Sequence, residues 1–151
     1  MVNKIDNQIL IDIKWHIINP NKYNHTKYMI TNINGKTVYL HRLIMERIIG
    51  RKLKKGEVID HINGNGLDNR RENLRICTQK QNTYNQVSIK NMSSKYKGVY
   101  YRKDAKKYQS KIIPNRKTIH LGYFKTEEEA ALAYNVAAIK YFGTFARLNN
   151  L

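Results

Sequence analysis

Glu57-Val58-Ile59-Asp60 reads as a short strand that runs straight into a strongly polar loop: His61-Ile62-Asn63-Gly64-Asn65, then Asn69-Arg70-Arg71-Glu72-Asn73. Leu74-Arg75-Ile76-Cys77 reads as a second short strand, and Thr78 is the N-cap candidate of a helix containing Gln79, Lys80, Gln81 and Asn82. A loop this polar cannot form a core. The flanking strands must pair to bring its ends together, and the helix must follow. Strand, long loop, strand, helix is a compact unit that can place Asp60, His61 and Asn82 around one point.

The chemistry of that point is specific. A carboxylate beside an imidazole, in a polar, Gly-containing loop of a basic protein, is what metal-assisted phosphodiester hydrolysis requires. Asp60 can hold a hard divalent ion, and His61 can take a proton from water. The chain of 151 residues carries 28 Lys and Arg against 11 Asp and Glu, a formal charge of +17. Self-repulsion of that size disfavours a compact state unless a polyanion offsets it, so the charge marks a partner. No stretch is long and apolar enough to span a bilayer, and Met1-Val2-Asn3-Lys4-Ile5-Asp6 has no signal-peptide pattern. A membrane partner is therefore not expected, and a cytoplasmic, DNA-associated location is. Cys77 is the single cysteine, which excludes an internal disulfide and any Cys-rich zinc ribbon.

Both halves are basic: residues 1–93 carry net +9 and residues 94–151 net +8. Gln8 to Lys14, with Ile9, Ile11 and Ile13 alternating, reads as a strand, as does Tyr28 to Thr31. Asn34-Gly35 is a two-residue hairpin turn, because both positions favour positive φ, and Thr37 to Leu40 returns. Leu43, Ile44, Arg47 and Ile48 recur at helical spacing, and Gly50 stops that helix. The second half predicts three strands (Tyr96 to Arg102, Lys107 to Ile113, Lys117 to Phe124) and one helix. Thr126-Glu127-Glu128-Glu129 opens the helix as a capping box, and it runs to Phe142 before Gly143. Its alanines allow close approach to the sheet, with Leu132, Tyr134, Val136 and Ile139 supplying bulk. Alternation puts Val99, Tyr101, Tyr108, Ser110, Ile112, Ile119, Leu121 and Tyr123 against the helix. It leaves Tyr100, Arg102, Gln109, Lys111, Thr118 and His120 on an aromatic-basic face suited to a DNA groove.

Two family resemblances rest on these residues. Asp60-His61 to Asn82 resembles the HNH endonucleases, the ββα-metal fold of phage and intron homing enzymes, and Leu40-His41-Arg42-Leu43-Ile44-Met45 is also similar to phage members. The second half resembles the plant APETALA/ethylene-response-factor DNA-binding domain. The matching runs there are Tyr96-Lys97-Gly98-Val99, Ile119-His120-Leu121-Gly122-Tyr123-Phe124, Glu128-Glu129-Ala130-Ala131-Leu132-Ala133-Tyr134 and Ala146-Arg147-Leu148-Asn149. The fold implied is α+β: a small β-rich segment, a ββα-metal unit, then a three-stranded antiparallel sheet packed on one helix. The implied domains are an HNH endonuclease domain over residues 1–88 with its core at 57–86, a linker at 89–94, and a DNA-binding domain over 95–151.

The resemblance implies roles as well. Asp60 and Asn82 become metal ligands, His61 the general base, and Asn73 the central Asn that fixes the loop by hydrogen bonds. Asn82 stands where other members carry His, which makes this the H-N-N variant. A carboxylate and an amide carbonyl suit Mg²⁺, or Mn²⁺, better than Zn²⁺. Double-stranded DNA is the expected partner, contacted by Lys97, Tyr100, Arg102, Gln109, Lys111, Thr118 and His120 on the sheet and by Arg70 and Arg71 beside the site. No small-molecule cofactor is expected. One metal site per chain suits a monomer or weak dimer that nicks, or a homing enzyme that cuts twice. The competing readings are a non-catalytic DNA-binding regulator with a relic HNH fold and a basic RNA-binding protein. Asn63, Asn65 and Asn69 read as loop formers. His41 reads as structural or phosphate-contacting, His16, His25 and His120 as non-ligands, the Arg51 to Lys55 run as a phosphate contact, and Cys77 as a buried small residue.

Overall fold

The computed structural model describes residues 1–19, 26–86 and 93–151. His25 and most of the expected linker lie outside the described residues. The chain forms two compact units, Met1–Asn82 and Thr83–Leu151. It is a mixed α/β structure of small antiparallel sheets and short helices. Among the described residues no helix is long and apolar enough to cross a membrane.

The first unit opens with a tight turn at Lys4–Asp6 and a helix, α1 (Asn7–Asp12), where alternation predicted a strand. Over so few residues, periods of two and of 3.6 are hard to separate. Asp6 and Ile9 are buried and Leu10 is partly buried, at helical spacing, while Ile11 is 75% exposed, so no strand face exists. The Trp15 indole N–H donates to the Ile9 carbonyl at 2.9 Å and satisfies one of the helix's terminal acceptors.

Strands β1 (His16–Ile18), β2 (Tyr28–Ile33) and β3 (Lys36–Tyr39) form a meander. The β2–β3 hairpin turns at Asn34-Gly35, with φ of 50° and 75° as a type I′ turn requires. The helix α2 (Leu40–Ile49) starts directly at the end of β3 and stops at Gly50. Then β4 (Glu57–His61) and β5 (Leu74–Thr78) pair antiparallel, with Asp60 opposite Arg75 and His61 opposite Leu74. The helix α3 (Gln79–Asn85) follows at once. Its start is capped reciprocally: the Thr78 hydroxyl accepts from the Gln81 amide, and Gln81 Oε1 accepts from Thr78 N–H at 2.8 Å. Ile9, Leu40, Ile44, Met45 and Leu74 form the core, so α1, α2 and β5 share one apolar centre.

The second unit is the sheet β6 (Val99–Arg102), β7 (Lys107–Ile112) and β8 (Ile119–Phe124), with α4 (Glu127–Phe142) laid across it. The capping box at Thr126 and Glu129 is formed in both directions. Ser93 and Ser94, the end of the expected linker, accept hydrogen bonds from the Tyr101 and Tyr96 amides.

Two expectations about this sheet fail for physical reasons. The register slips between Ser110 and Lys111: Lys111 pairs with His120, but Ser110 pairs with Gly122. This bulge consumes one residue, so Tyr123 leaves the helix side and lies opposite Gln109 on the other face, while Phe124 takes the packed position. On α4, Leu132, Val136 and Ile139 face outward at 53%, 63% and 58% exposure. Bulk comes from Tyr134 and Phe142 between Ala130, Ala131, Ala137 and Ala138.

Gly98 sets how closely α4 lies on the sheet. Its φ is +79°, and a Cβ there would lie 2.1 Å from the Tyr134 ring and 2.7 Å from the Lys111 carbonyl oxygen. Gly98→Ala is expected to destabilise this unit by roughly 2–4 kcal/mol, from left-handed backbone strain plus overpacking. Urea unfolding of the variant against wild type measures it.

Candidate active site

The loop joining β4 to β5 is built from side-chain hydrogen bonds instead of apolar packing. Asp68 and Asn69 are fully buried and Asn73 nearly so. Asp68 accepts from Arg70 through both carboxylate oxygens, at 2.8 and 2.7 Å, and from Asn63 Nδ2 at 2.8 Å. The Arg70 guanidinium holds its carboxyl well below the usual carboxylate range. Asn73 closes the loop: its Oδ1 accepts from the Asn63 amide at 2.9 Å, and its Nδ2 donates to Asn63 Oδ1 at 3.0 Å and to the Asp68 carbonyl at 2.7 Å.

Residues 1–6 brace the same loop. The Met1 carbonyl accepts from Asn69 N–H at 2.7 Å, Asn3 Oδ1 accepts from Arg71 N–H, and buried Asp6 grips the Arg71 guanidinium at 2.8 and 2.9 Å. Packing is tight where this loop passes Lys27 and Tyr28: a Cβ on Gly66 would lie 2.4 Å from the Lys27 carbonyl oxygen.

His61 ends β4 and is 5% exposed. Asn69 Nδ2 donates to the Leu67 carbonyl at 3.3 Å, which turns Asn69 Oδ1 toward His61 Nε2 at 3.2 Å. An amide oxygen only accepts, so Nε2 carries the hydrogen and Nδ1 is the basic nitrogen. Burial pushes the His61 pKa below its ordinary 6.5, against the raising effects of Asn69, Asp60 and Asp68. Burial thus favours the neutral form of the His61 imidazole.

His41, on the first turn of α2, stands edge-on to His61 with ring centres 5.1 Å apart, and Tyr28 and Tyr39 flank it at 5.2 and 5.4 Å. Its Nδ1 is buried with no hydrogen-bond partner among the described residues. Burial, with His61 and Arg42 nearby, lowers its pKa to about 3. Asp60, 4% exposed, is ion-paired to Arg75, with Nε at 2.8 Å and Nη2 at 2.6 Å, both on Oδ2. Asn82 lies on α3, half-buried, and its amide makes no hydrogen bond among the described residues.

Asp60, His61 and Asn73 are thus brought to one end of the β4–β5 pair, with Asn82 on the helix that follows. Among the described residues no three of His, Cys, Asp and Glu gather as metal ligands. The Asp60 carboxylate and the Asn82 carbonyl are hard oxygen donors of the kind that a hard divalent ion takes.

Arg70 and Arg71, expected at phosphates, point into the fold toward Asp68 and Asp6. Arg51 chelates Glu57 and Lys52 meets Glu46, so two cations of the basic turn are also committed internally. Cys77 is buried, and burial pushes its thiol up to about 11. The sequence reading gave Asn69 only a loop-forming role and Tyr28 only a place in a strand, and it assigned nothing to Asp68 or the Arg75 side chain. The density of Asn and Asp in a loop with one Gly-Asn-Gly run was the signal that it is a hydrogen-bonded knot and not a solvated connection.

On the second unit's open face, the Lys111 ammonium lies 4.2 Å from the Tyr100 ring centre, and Arg102 pairs with exposed Asp104. Thr118 and His120 are exposed. Gln109 is 7% exposed, with its Nε2 3.0 Å from His120 Nδ1 and donating to the Tyr123 hydroxyl at 3.3 Å. Lys97 was expected on this face. Its ammonium instead donates to the Tyr84 and Gln86 carbonyls at 2.6 and 2.7 Å, and burial lowers its pKa to about 8.

Comparison with known proteins agrees with the loop geometry. A family model described as HNH endonuclease matches residues 38–84. The chain is 37% identical over 141 residues to an uncharacterized HNH endonuclease of Acanthamoeba polyphaga mimivirus, covering 91% of this chain and 72% of that protein. It is 30% identical over 95 residues to protein 3.8 of Escherichia phage T7, covering 78% of that protein. Shorter matches reach two Arabidopsis thaliana transcription factors. One is an ethylene-responsive factor, 48% identical over 56 residues, and the other is an AP2-like factor, 44% identical over 59 residues. They cover 36% and 38% of this chain, and only 30% and 11% of the plant proteins. The chain belongs to the HNH endonuclease family.

The His41 pKa makes stability depend on pH with a definite sign. Between about 3 and the unfolded value of 6.5, the unfolded imidazole binds a proton that the folded one refuses. Stability therefore falls as pH drops through that window, by up to ~1.4 kcal/mol per pH unit from this group. His41→Phe keeps a ring in place and is expected to flatten the slope between about pH 7 and pH 5, read from urea midpoints.

Proposed function

We propose that this protein is a metal-dependent endonuclease of double-stranded DNA, with a ββα-metal HNH catalytic site and a C-terminal duplex-gripping unit of APETALA/ethylene-response-factor type. The observation that carries the reading is the buried His61, oriented by Asn69 and adjacent to Asp60, within the segment that matches the HNH family. His61 Nδ1 takes the proton of the attacking water. Asn69 fixes the tautomer and ring plane, and Asn73 holds the loop that carries Asn69. Asp60 and Asn82 hold the ion, with Mg²⁺ or Mn²⁺ favoured by the oxygen donors. When bound, a divalent ion neutralises a phosphate oxygen and stabilises the leaving 3′ oxygen. A single such site per chain cuts one strand, so a nick is the primary product.

Duplex binding falls to the residues whose charges and rings are presented outward: Tyr100, Arg102, Lys111, Thr118 and His120. Lys97, Gln109, Arg70 and Arg71 act one step back, by holding the backbone and loops that carry the contacts. The formal charge of +17 supplies the long-range attraction to the polyanion.

The protein is expected to nick supercoiled plasmid with Mg²⁺ or Mn²⁺ and to leave it intact in a chelator. His61→Ala is expected to slow cleavage ~10²–10⁴-fold while gel-shift binding survives. Plasmid left uncut under both metals would sink the proposal. Arg102→Ala with Lys111→Ala is expected to reduce the slope of log affinity against log salt by about 2, measured by fluorescence anisotropy.

A further inference from the structure

Three buried carboxylates in the first unit carry arginine partners, and the three pairs are not alike. Asp6 and Asp68 are each gripped fork to fork: Arg71 and Arg70 place one nitrogen on each carboxylate oxygen. The side chains of Arg71 and Arg70 are 33% and 43% exposed. The Asp6–Arg71 pair ties the N-terminal turn to the loop, and the Asp68–Arg70 pair closes the loop on itself. Arg75 instead brings Nε and Nη2 to the same oxygen of Asp60, Oδ2, and its side chain is only 16% exposed. It comes from the residue directly opposite Asp60 in the β4–β5 ladder, so the pair bridges strands that main-chain hydrogen bonds already join. It supplies a positive charge for a buried carboxylate, which is costly to leave unpaired.

We propose that Arg75 is an internal counter-cation: it occupies the Asp60 carboxylate in the ion-free protein and gives way when the divalent ion binds. This rests on the reading of Asp60 as a metal ligand. A guanidinium and a divalent ion on one desolvated carboxylate repel each other, and Arg75 already lies at short hydrogen-bond distance, 2.6 Å, from Oδ2. The two cations therefore exchange. The exchange keeps the empty site folded and sets the metal affinity below what the bare ligands would give.

The test uses Mn²⁺ binding by calorimetry on the full chain, with wild type, Asp60→Asn and Arg75→Met, the last keeping the aliphatic stem. Arg75→Met is expected to melt at lower temperature in a chelator. It is also expected to bind Mn²⁺ at least about five-fold tighter than wild type, because the competitor is gone. Mn²⁺ is then expected to raise its melting temperature more than that of wild type. Asp60→Asn is expected to lose binding. Retained binding in Asp60→Asn overturns the site reading and this inference with it. Loss in Asp60→Asn, with equal or weaker Mn²⁺ binding in Arg75→Met, overturns the exchange alone and makes Arg75 a support for the ligand. Should Arg75→Met not fold, the Arg75 Nε–Hε NMR signal of wild type decides. Mg²⁺ saturation is expected to shift it away from its ion-paired position, and a signal that stays in place overturns the exchange.

Discussion

The Asp68 carboxylate is sealed from solvent and accepts four hydrogen bonds, three from Arg70 and one from Asn63, while its main-chain carbonyl takes another from Asn73. The loop between β4 and β5 contributes no residue to the buried apolar cluster of this unit. Its shape is enforced by polar groups that must be satisfied because they are buried. Everything proposed for the site depends on that knot. Asn69 is held in it, and Asn69 in turn selects the His61 tautomer.

Around the knot, the unit uses elements that bear no catalytic group. Residues 1–6, which carry no functional signature in the sequence, clamp Arg71 and Asn69 from outside. Tyr28 and His41 set their rings against His61, and Tyr39 lies against His41 in turn. The result is an imidazole that is both buried and tethered: burial lowers its pKa, while the contact with Asn69 fixes its direction and works against that lowering. The small meander and α2 supply the walls.

The second unit applies a different economy. Alanines and Gly98 let α4 lie close to the sheet, and a bulge moves Tyr123 to the open face beside Gln109 and His120. Asn149 is fixed by Asn135 and by the backbone of Lys97, which explains why an Asn belongs near the chain's end. The open face combines outward charge at Arg102 and Lys111 with an inner layer, Gln109, whose polarity is spent on neighbours.

Much of this was legible in the order of residues. The Asn34-Gly35 turn, the Thr126 capping box, the stop at Gly50, the β4–β5 pairing and the adjacency of Asp60 and His61 follow from local rules: turn chemistry, capping and alternation act within a few residues. The strand misread at Gln8 to Lys14 and the misplaced Tyr123 show where local rules end. A helix or a bulge there is decided by which partner buries Ile9 and how Ser110 meets Gly122. The same holds for charge. Composition counts arginines, but it cannot tell that Arg70, Arg71 and Arg75 pair with buried Asp68, Asp6 and Asp60, because Arg71 and Arg75 meet carboxylates from other segments and even the local Asp68–Arg70 pair is set by the burial of Asp68. The sequence alone therefore determined the local elements, the neighbouring acid and imidazole, and the excess of positive charge. Tertiary structure decided which charges remain for a ligand, since only burial makes an unpaired carboxylate too costly to leave alone.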